Sequence, residues 1–217
     1  MRYFKNRTEA GQQLADKLLA CKGQQCAVVS LSEGGVLVGA EIAKKIHSSL
    51  YLLMIENIKL PGENDPVAVM SSAGTFTYND MLSPGELEEI KSDYHQVIDQ
   101  ERLQTFQKLN RIIGKDGEIN KNLLKRHIVI LVSDGLGTGL SLAVAADFMK
   151  SIAVKKIIIT TPIASVKAVD KMHTLTDEIF CLGVTDNYMG TEHYYENNDL
   201  PPHQTVVKLM KNIVLNW

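Results

Sequence analysis

Ile128-Val129-Ile130-Leu131-Val132-Ser133-Asp134-Gly135-Leu136-Gly137-Thr138-Gly139-Leu140-Ser141 is the stretch whose reading decides the fold. Its first five residues are apolar and mostly branched at Cβ, as in a strand buried on both faces of a parallel sheet. The run breaks at Ser133-Asp134, and glycine then recurs at every second position, Gly135, Gly137 and Gly139. From Leu142 to Lys150 the composition predicts a helix packed against that sheet. Strand, glycine loop and helix make a device for holding phosphate. Backbone N–H groups converge there, and the helix N-terminus adds about half a positive charge. Thr138 and Ser141 can add hydroxyl donors.

Two nucleotide motifs are set aside on the residues. A Walker loop needs lysine after its last glycine, and Leu140 stands there. A dinucleotide fingerprint wants G-x-G-x-x-G near the first strand of a βαβ repeat, whereas this chain gives G-x-G-x-G late. The stretch resembles instead the phosphoribosyl-diphosphate (PRPP) loop of type I phosphoribosyltransferases, with Ser133 where the first of two acids is usual. The likeness continues in family order. Phe4-Lys5-Asn6-Arg7-Thr8-Glu9-Ala10-Gly11-Gln12-Gln13-Leu14-Ala15 is similar to an N-terminal F-x-x-R-x-x-A-G-x-x-L-A pattern. Ser32-Glu33-Gly34-Gly35-Val36-Leu37-Val38-Gly39-Ala40-Glu41-Ile42-Ala43 is similar to an R-G-G-V-P-V-A-x-x-I-A segment whose turn holds pyrophosphate. Tyr195-Glu196-Asn197 to Val206 resembles the C-terminal Y-x-D/N stretch and closing helix.

The remaining elements fit that scheme. A helix capped by Thr8, a strand from Cys26 to Leu31, a helix from Val36 to Ile46 and a strand from Leu50 to Ile55 alternate in an α/β order. Residues 56–80 carry two prolines and read as a hairpin or flexible flap. Pro84 opens a long polar helix to about Ile113, and Gly114-Lys115-Asp116-Gly117 reads as a turn. Lys155 to Pro162 reads as a strand ended by its proline, Ser165 caps a helix to about Met172, and Glu178 to Gly183 is the last core strand. Residues 184–202 form an irregular, hood-like tail, and Thr205 to Val214 closes the chain as an amphipathic helix. The whole implies one domain over 1–217: a three-layer α/β fold, a mostly parallel twisted sheet flanked by helices, with a flap and a small hood.

Bulk properties bound the function classes. A net charge of -2 and a pI near 6.3 argue against general affinity for nucleic acid or an anionic membrane. No apolar run approaches the roughly 20 residues that span a bilayer, and the N-terminus lacks the apolar core of a signal peptide. Three cysteines, Cys21, Cys26 and Cys181, form no C-x-x-C pair, so free thiols in a reducing cytoplasm are expected. The six histidines show no metal spacing.

The resemblance implies a protein that binds PRPP or another ribose 5-phosphate compound and transfers the phosphoribosyl group to a nitrogenous acceptor. On that expectation Gly135, Leu136, Gly137, Thr138, Gly139 and Ser141 hold the 5′-phosphate, and Asp134 with Ser133 serves the ribose and the developing charge. Ser32, Glu33, Gly34 and Gly35 form the pyrophosphate turn, Lys59 supplies a flap cation, and Mg²⁺ arrives with the donor without an assigned protein ligand. A homodimer is the base rate for such folds. The tyrosines from Tyr188 to Tyr195 either line a base pocket or pack as an ordinary tail. Three positions depart from the family pattern: Glu33 for arginine, Glu56 in place of a flap cation, and Ser133 for an acid. They favour the alternative of a weakly active or non-catalytic nucleotide- or PRPP-binding regulatory module.

Overall fold

The computed structural model describes residues 2–63, 65–114, 119–176 and 178–213. In chain order the elements are α1 (Arg7–Lys17), β1 (Cys26–Ser30), α2 (Glu33–Ile46), β2 (Ser49–Leu52), β3 (Ile55–Ile58), β4 (Ala68–Ser71), β5 (Phe76–Tyr78) and α3 (Pro84–Ile113). Then follow β6 (Ile128–Val132), α4 (Leu140–Lys150), β7 (Lys156–Ser165), α5 (Val166–Leu175), β8 (Ile179–Thr185) and α6 (His203–Lys211). The main sheet runs β2-β1-β6-β7-β8, and every pairing in it is parallel.

The strand period of two divides the core. Val28, Ile130 and Ile158 stand in register across β1, β6 and β7 and pack with Leu14, Leu18, Val36, Ile42 and Val206, beneath α1, α2 and α6. Val29, Leu131 and Ile159 are in register one residue on and face Leu142, Phe148, Ala168 and Met172 of α4 and α5. Each such side chain, fully buried, contributes about 1.5–3 kcal/mol. The three-layer α/β architecture expected from the sequence is what the chain forms.

Residues 56–80 are built differently from a simple hairpin. β3, β4 and β5 form a separate antiparallel sheet, with its own core of Ile58, Leu60, Val67, Met70 and Ile98 beneath α3. The apolar run Leu50–Ile55, read as one strand, divides at Leu53-Met54. Leu53 donates its N–H to Ser30 O at 2.8 Å while Ser72 donates to Met54 O at 2.8 Å, so the chain passes from one sheet to the other between them.

Local corrections have simple causes. Asn6, not Thr8, caps α1, its side chain accepting from Glu9 N. α4 starts at Leu140, before the expected Leu142. Pro162 does not end β7. The ladder with β6 stops at Thr160, so beyond that point the proline's missing N–H costs no bond on that side, and pairing with β8 continues to Ser165. Ser165 caps α5 as expected. The expected turn at 114–117 lies, after Gly114, outside the described residues, as does Val214.

Candidate active site

The chain leaves β1 toward β2 on one side and builds β6, β7 and β8 on the other. The crevice between the C-terminal ends of β1 and β6 is therefore a topological switch point, where open parallel sheets bind ligands. A cleft of about 240 Å³ opens there. Its walls are Leu31 and Ser32 after β1, the whole segment from Ser133 to Ser141 after β6, Ile55 and Asn57 of β3, and Thr191 of the hood.

Inside the loop, hydrogen bonds sort the backbone into two groups. Leu136 bridges to β7, donating to Ile163 O at 3.0 Å and accepting from Ser165 N at 2.9 Å. Gly135 N–H reaches Ser133 Oγ at 3.3 Å, and that hydroxyl donates to Gly135 O at 2.8 Å. Ser133 thus braces the loop from within. Among the described residues the N–H groups of Gly137, Thr138 and Gly139 have no protein acceptor. They adjoin the N-terminus of α4, whose cap, Gly139, holds the left-handed φ of 73°. Gly135 and Gly137 serve closeness rather than turning. A Cβ on Gly135 would lie 2.4 Å from the Tyr188 hydroxyl, and one on Gly137 3.2 Å from the Tyr188 ring.

Asp134 sits at the centre of a buried network. Its Oδ2 accepts from Arg7 Nε at 2.7 Å and its Oδ1 from Ser32 Oγ at 2.8 Å. The Tyr195 hydroxyl donates to Asp134 O at 2.6 Å, and the Arg7 guanidinium lies over the Tyr195 ring, 4.6 Å from its centre. Burial first, then the Asp134 charge, pushes the Tyr195 phenol far up, so it stays a donor. Burial also pushes Tyr188 up to about 12.

The expected pyrophosphate turn proves to be the first turn of α2. Ser32 is its cap, accepting from Gly35 N at 2.8 Å. Gly34 lacks a side chain because Asp134 is there: a Cβ would fall 2.0 Å from Asp134 Oδ2. Ser32 lines the cleft, whereas Glu33 turns away, its Oε1 2.6 Å from Nδ1 of His203 on α6. Glu56 likewise turns away from the cleft and pairs with Lys108 of α3 at 3.0 Å. Lys59 is exposed just past β3 and is not among the lining residues. No Lys or Arg lines the described cleft.

Arg7 and Thr191 carry no site role in the sequence reading, and Asn57 enters it only beside Glu56, where the flap of the family carries a cationic pair. Arg7 stands inside the quoted N-terminal stretch as the one cation that the pattern itself specifies, which is the available signal. Thr191 lies in a segment without periodicity. Of the tail tyrosines, Tyr194 is buried and the Tyr195 hydroxyl is committed to the Asp134 carbonyl.

Residues 4–196 match the model of the phosphoribosyl transferase domain. A Mycobacterium tuberculosis protein named "Putative phosphoribosyl transferase" is 26% identical over 203 residues, 91% of this chain. The chain spans 44% of the length of that relative. The crystal structure of TT1426 from Thermus thermophilus superposes with a TM-score of 0.74 at 21% identity, covering 97% of this chain and 98% of that one. A Neisseria gonorrhoeae protein solved with bound ppGpp superposes at 0.50 and 8% identity, covering 95% of each chain. With α1, the capped turn after β1 and the loop after β6 all inside the matched span, the chain belongs to the phosphoribosyl transferase domain family.

Proposed function

We propose that the chain binds PRPP, or a related ribose 5-phosphate compound, in the cleft between β1 and β6 and transfers the phosphoribosyl group to a nitrogenous acceptor. The observation that carries this reading is the run of three unpaired N–H groups, Gly137 to Gly139, at the N-terminus of α4. Such a run binds a phosphate dianion through hydrogen bonds and the helix dipole together. The Thr138 and Ser141 hydroxyls stand beside it in the same cleft.

Transfer breaks the C1–O bond to pyrophosphate and forms a C1–N bond to the acceptor, which then loses a proton. The chain's part is to fix the 5′-phosphate on the loop, to hold the ribose hydroxyls against Asp134, and to present the α2 N-terminus to the leaving group. Among the described residues no three His, Cys, Asp or Glu side chains cluster to hold a metal, and Asp134 is committed to Arg7 and Ser32. A protein-held ion does not fit this donor set. Mg²⁺ belongs here as part of the substrate, on pyrophosphate oxygens with its own waters.

The second reading, a regulatory module that binds the ligand without turnover, draws on the pairing of Glu33 with His203 and of Glu56 with Lys108. Those pairs leave the cleft without a protein cation. Calorimetric titration with PRPP and with ribose 5-phosphate, each with and without Mg²⁺, separates the cases. Mg²⁺-dependent, preferential binding of PRPP supports the transferase. Equal binding of both ligands without Mg²⁺ supports the module. Binding of neither refutes the site.

A further inference from the structure

We infer that His203, the first residue of α6, is a positioning residue for the donor's pyrophosphate: it holds the Glu33 carboxylate off the α2 N-terminus that the leaving group uses. The inference rests on the transferase reading above and gives the C-terminal helix a part in that same site.

Glu33 is the first residue of α2, directly after the Ser32 cap. Ser32 lines the cleft, and its neighbour Glu33 does not. A helix N-terminus carries about half a positive charge. A full negative charge left free on the first residue more than cancels it, so the same turn then repels a pyrophosphate. The fold removes the conflict by giving Glu33 a partner elsewhere. Its Oε1 lies 2.6 Å from His203 Nδ1, and the two side chains are only 25% and 26% exposed. An ionised carboxylate only accepts, so Nδ1 carries the proton in this contact. The ring therefore orients the carboxylate whether it is neutral or an imidazolium.

α6 adds a second attraction. Its cap is Pro202, which makes no side-chain cap hydrogen bond among the described residues, so the positive end of this helix faces the Glu33 carboxylate without a competing cap. Glu33 thus stands between two helix N-termini, and His203 directs it to the one that takes no ligand. The imidazole is not what docks α6. Val206 does that, fully buried in the core cluster that holds Val36 and Ile42 of α2. Removing the imidazole therefore frees the Glu33 charge and leaves the helix in place. A purely structural His203 would affect every ligand of the cleft alike.

The test is calorimetric affinity, at low ionic strength with Mg²⁺, for PRPP and for ribose 5-phosphate, which lacks the pyrophosphate. The chains compared are wild type, His203→Ala, and His203→Ala combined with Glu33→Gln, with thermal unfolding as the check on folding. His203→Ala is expected to weaken PRPP about ten-fold, the effect of a poorly screened like charge in the same helix turn, and ribose 5-phosphate by less than about two-fold. In the double variant the freed side chain is neutral, and PRPP affinity should return to within about three-fold of wild type. If His203→Ala does not fold, His203→Leu, which keeps bulk without a donor, takes its place in both chains. Unchanged PRPP affinity in the folded single variant, an equal loss for both ligands, or a loss that persists in the double variant overturns the inference and leaves the phosphate site standing. A wild-type chain that binds the two ligands alike removes the transferase reading, and the inference falls with it. Failure of the wild-type chain to bind either ligand overturns the site reading as a whole.

Discussion

Asp134 shows how little space the site leaves around its central charge. One side chain gathers donors from α1 and from the cap of α2, while its backbone oxygen holds the hood through Tyr195. Gly34 is the position most sensitive to this crowding. In Gly34→Ala the new methyl would start 2.0 Å from Asp134 Oδ2 and 2.7 Å from Arg7 Nε, and neither group can retreat, since both are buried. We expect a loss of about 3 kcal/mol in urea unfolding, with ribose 5-phosphate affinity falling in any fraction that stays folded. An unchanged midpoint would show that the pair has room to move. The residue scale was only half legible in the sequence. Asp134 and the loop hydroxyls are local to one motif, so their grouping could be read from spacing. The Arg7 partner lies 127 positions away, and no spacing rule reaches across that separation. Glu33 and Glu56 read as unfavourable charges at a phosphate site because the sequence hides their partners, His203 and Lys108.

At the scale of elements, strands β1, β6 and β8 and helices α3 and α5 were readable from periodicity and caps. Pro84, read as the start of α3, does occupy its first turn, and the structure adds a capping box between Ser83 and Glu86. What escaped was the passage of the chain from the main sheet to the small one at Leu53-Met54, because an apolar run does not record which sheet it joins. That passage decides how the cleft is walled. The small sheet is fastened to the helices that follow the glycine loop after β6 and strand β7. Ile55 and Val69 pack with Leu140 and Val144 of α4, Thr77 donates to Asp147 at 3.0 Å, and Asp80 pairs with Lys171 of α5. Burial alone would raise the Asp147 carboxyl, but its hydrogen bonds from Lys150 and Thr77 outweigh that and hold it below the usual range. A lowered carboxyl contributes stability above its ordinary value of 3.8 that is lost as pH falls through it. We therefore expect Asp147→Asn to reduce amide protection in β5 by roughly five-fold near neutral pH, the effect of one lost hydrogen bond. The difference from wild type should shrink as pH falls below 3.8 and vanish only where the lowered carboxyl is itself protonated and both side chains are neutral. Equal protection at neutral pH would mean that apolar packing on α4 fastens the sheet unaided.

Across the whole molecule the parallel sheet puts the cleft at the C-terminal ends of β1 and β6 and apolar packing at their N-terminal ends. β1 runs from Cys26 at its buried start to Ser30 beside the cleft, so the thiols Cys21 and Cys26 lie at the end remote from the ligand. Burial pushes the Cys26 thiol up to about 12, and burial also raises Cys21 and Cys181. Both effects suppress the thiolate that attacks disulfide reagents. At about pH 8 the native chain should react with Ellman's reagent at least ten-fold more slowly than a free thiol, and three thiols should titrate once it is unfolded. The same shifts set the alkaline limit of stability. A group whose folded value is raised favours the fold fully below its unfolded value and loses that contribution as pH climbs through the folded one. For Cys26 the window runs from 9.0 to about 12, and for Tyr188 from 10.0 to about 12. The urea midpoint should thus hold level to about pH 8 and fall above about 9. Cys26→Ala removes the earlier part of that fall and lowers the plateau by about 1 kcal/mol for the small void it leaves. Because Cys26 is a strand's length from Ser32, ribose 5-phosphate affinity should not change in that variant. A wild-type midpoint that stays flat to about pH 11, or fast labelling of the native thiols, would show that water reaches the far end of the sheet and that the core is less closed than its packing implies.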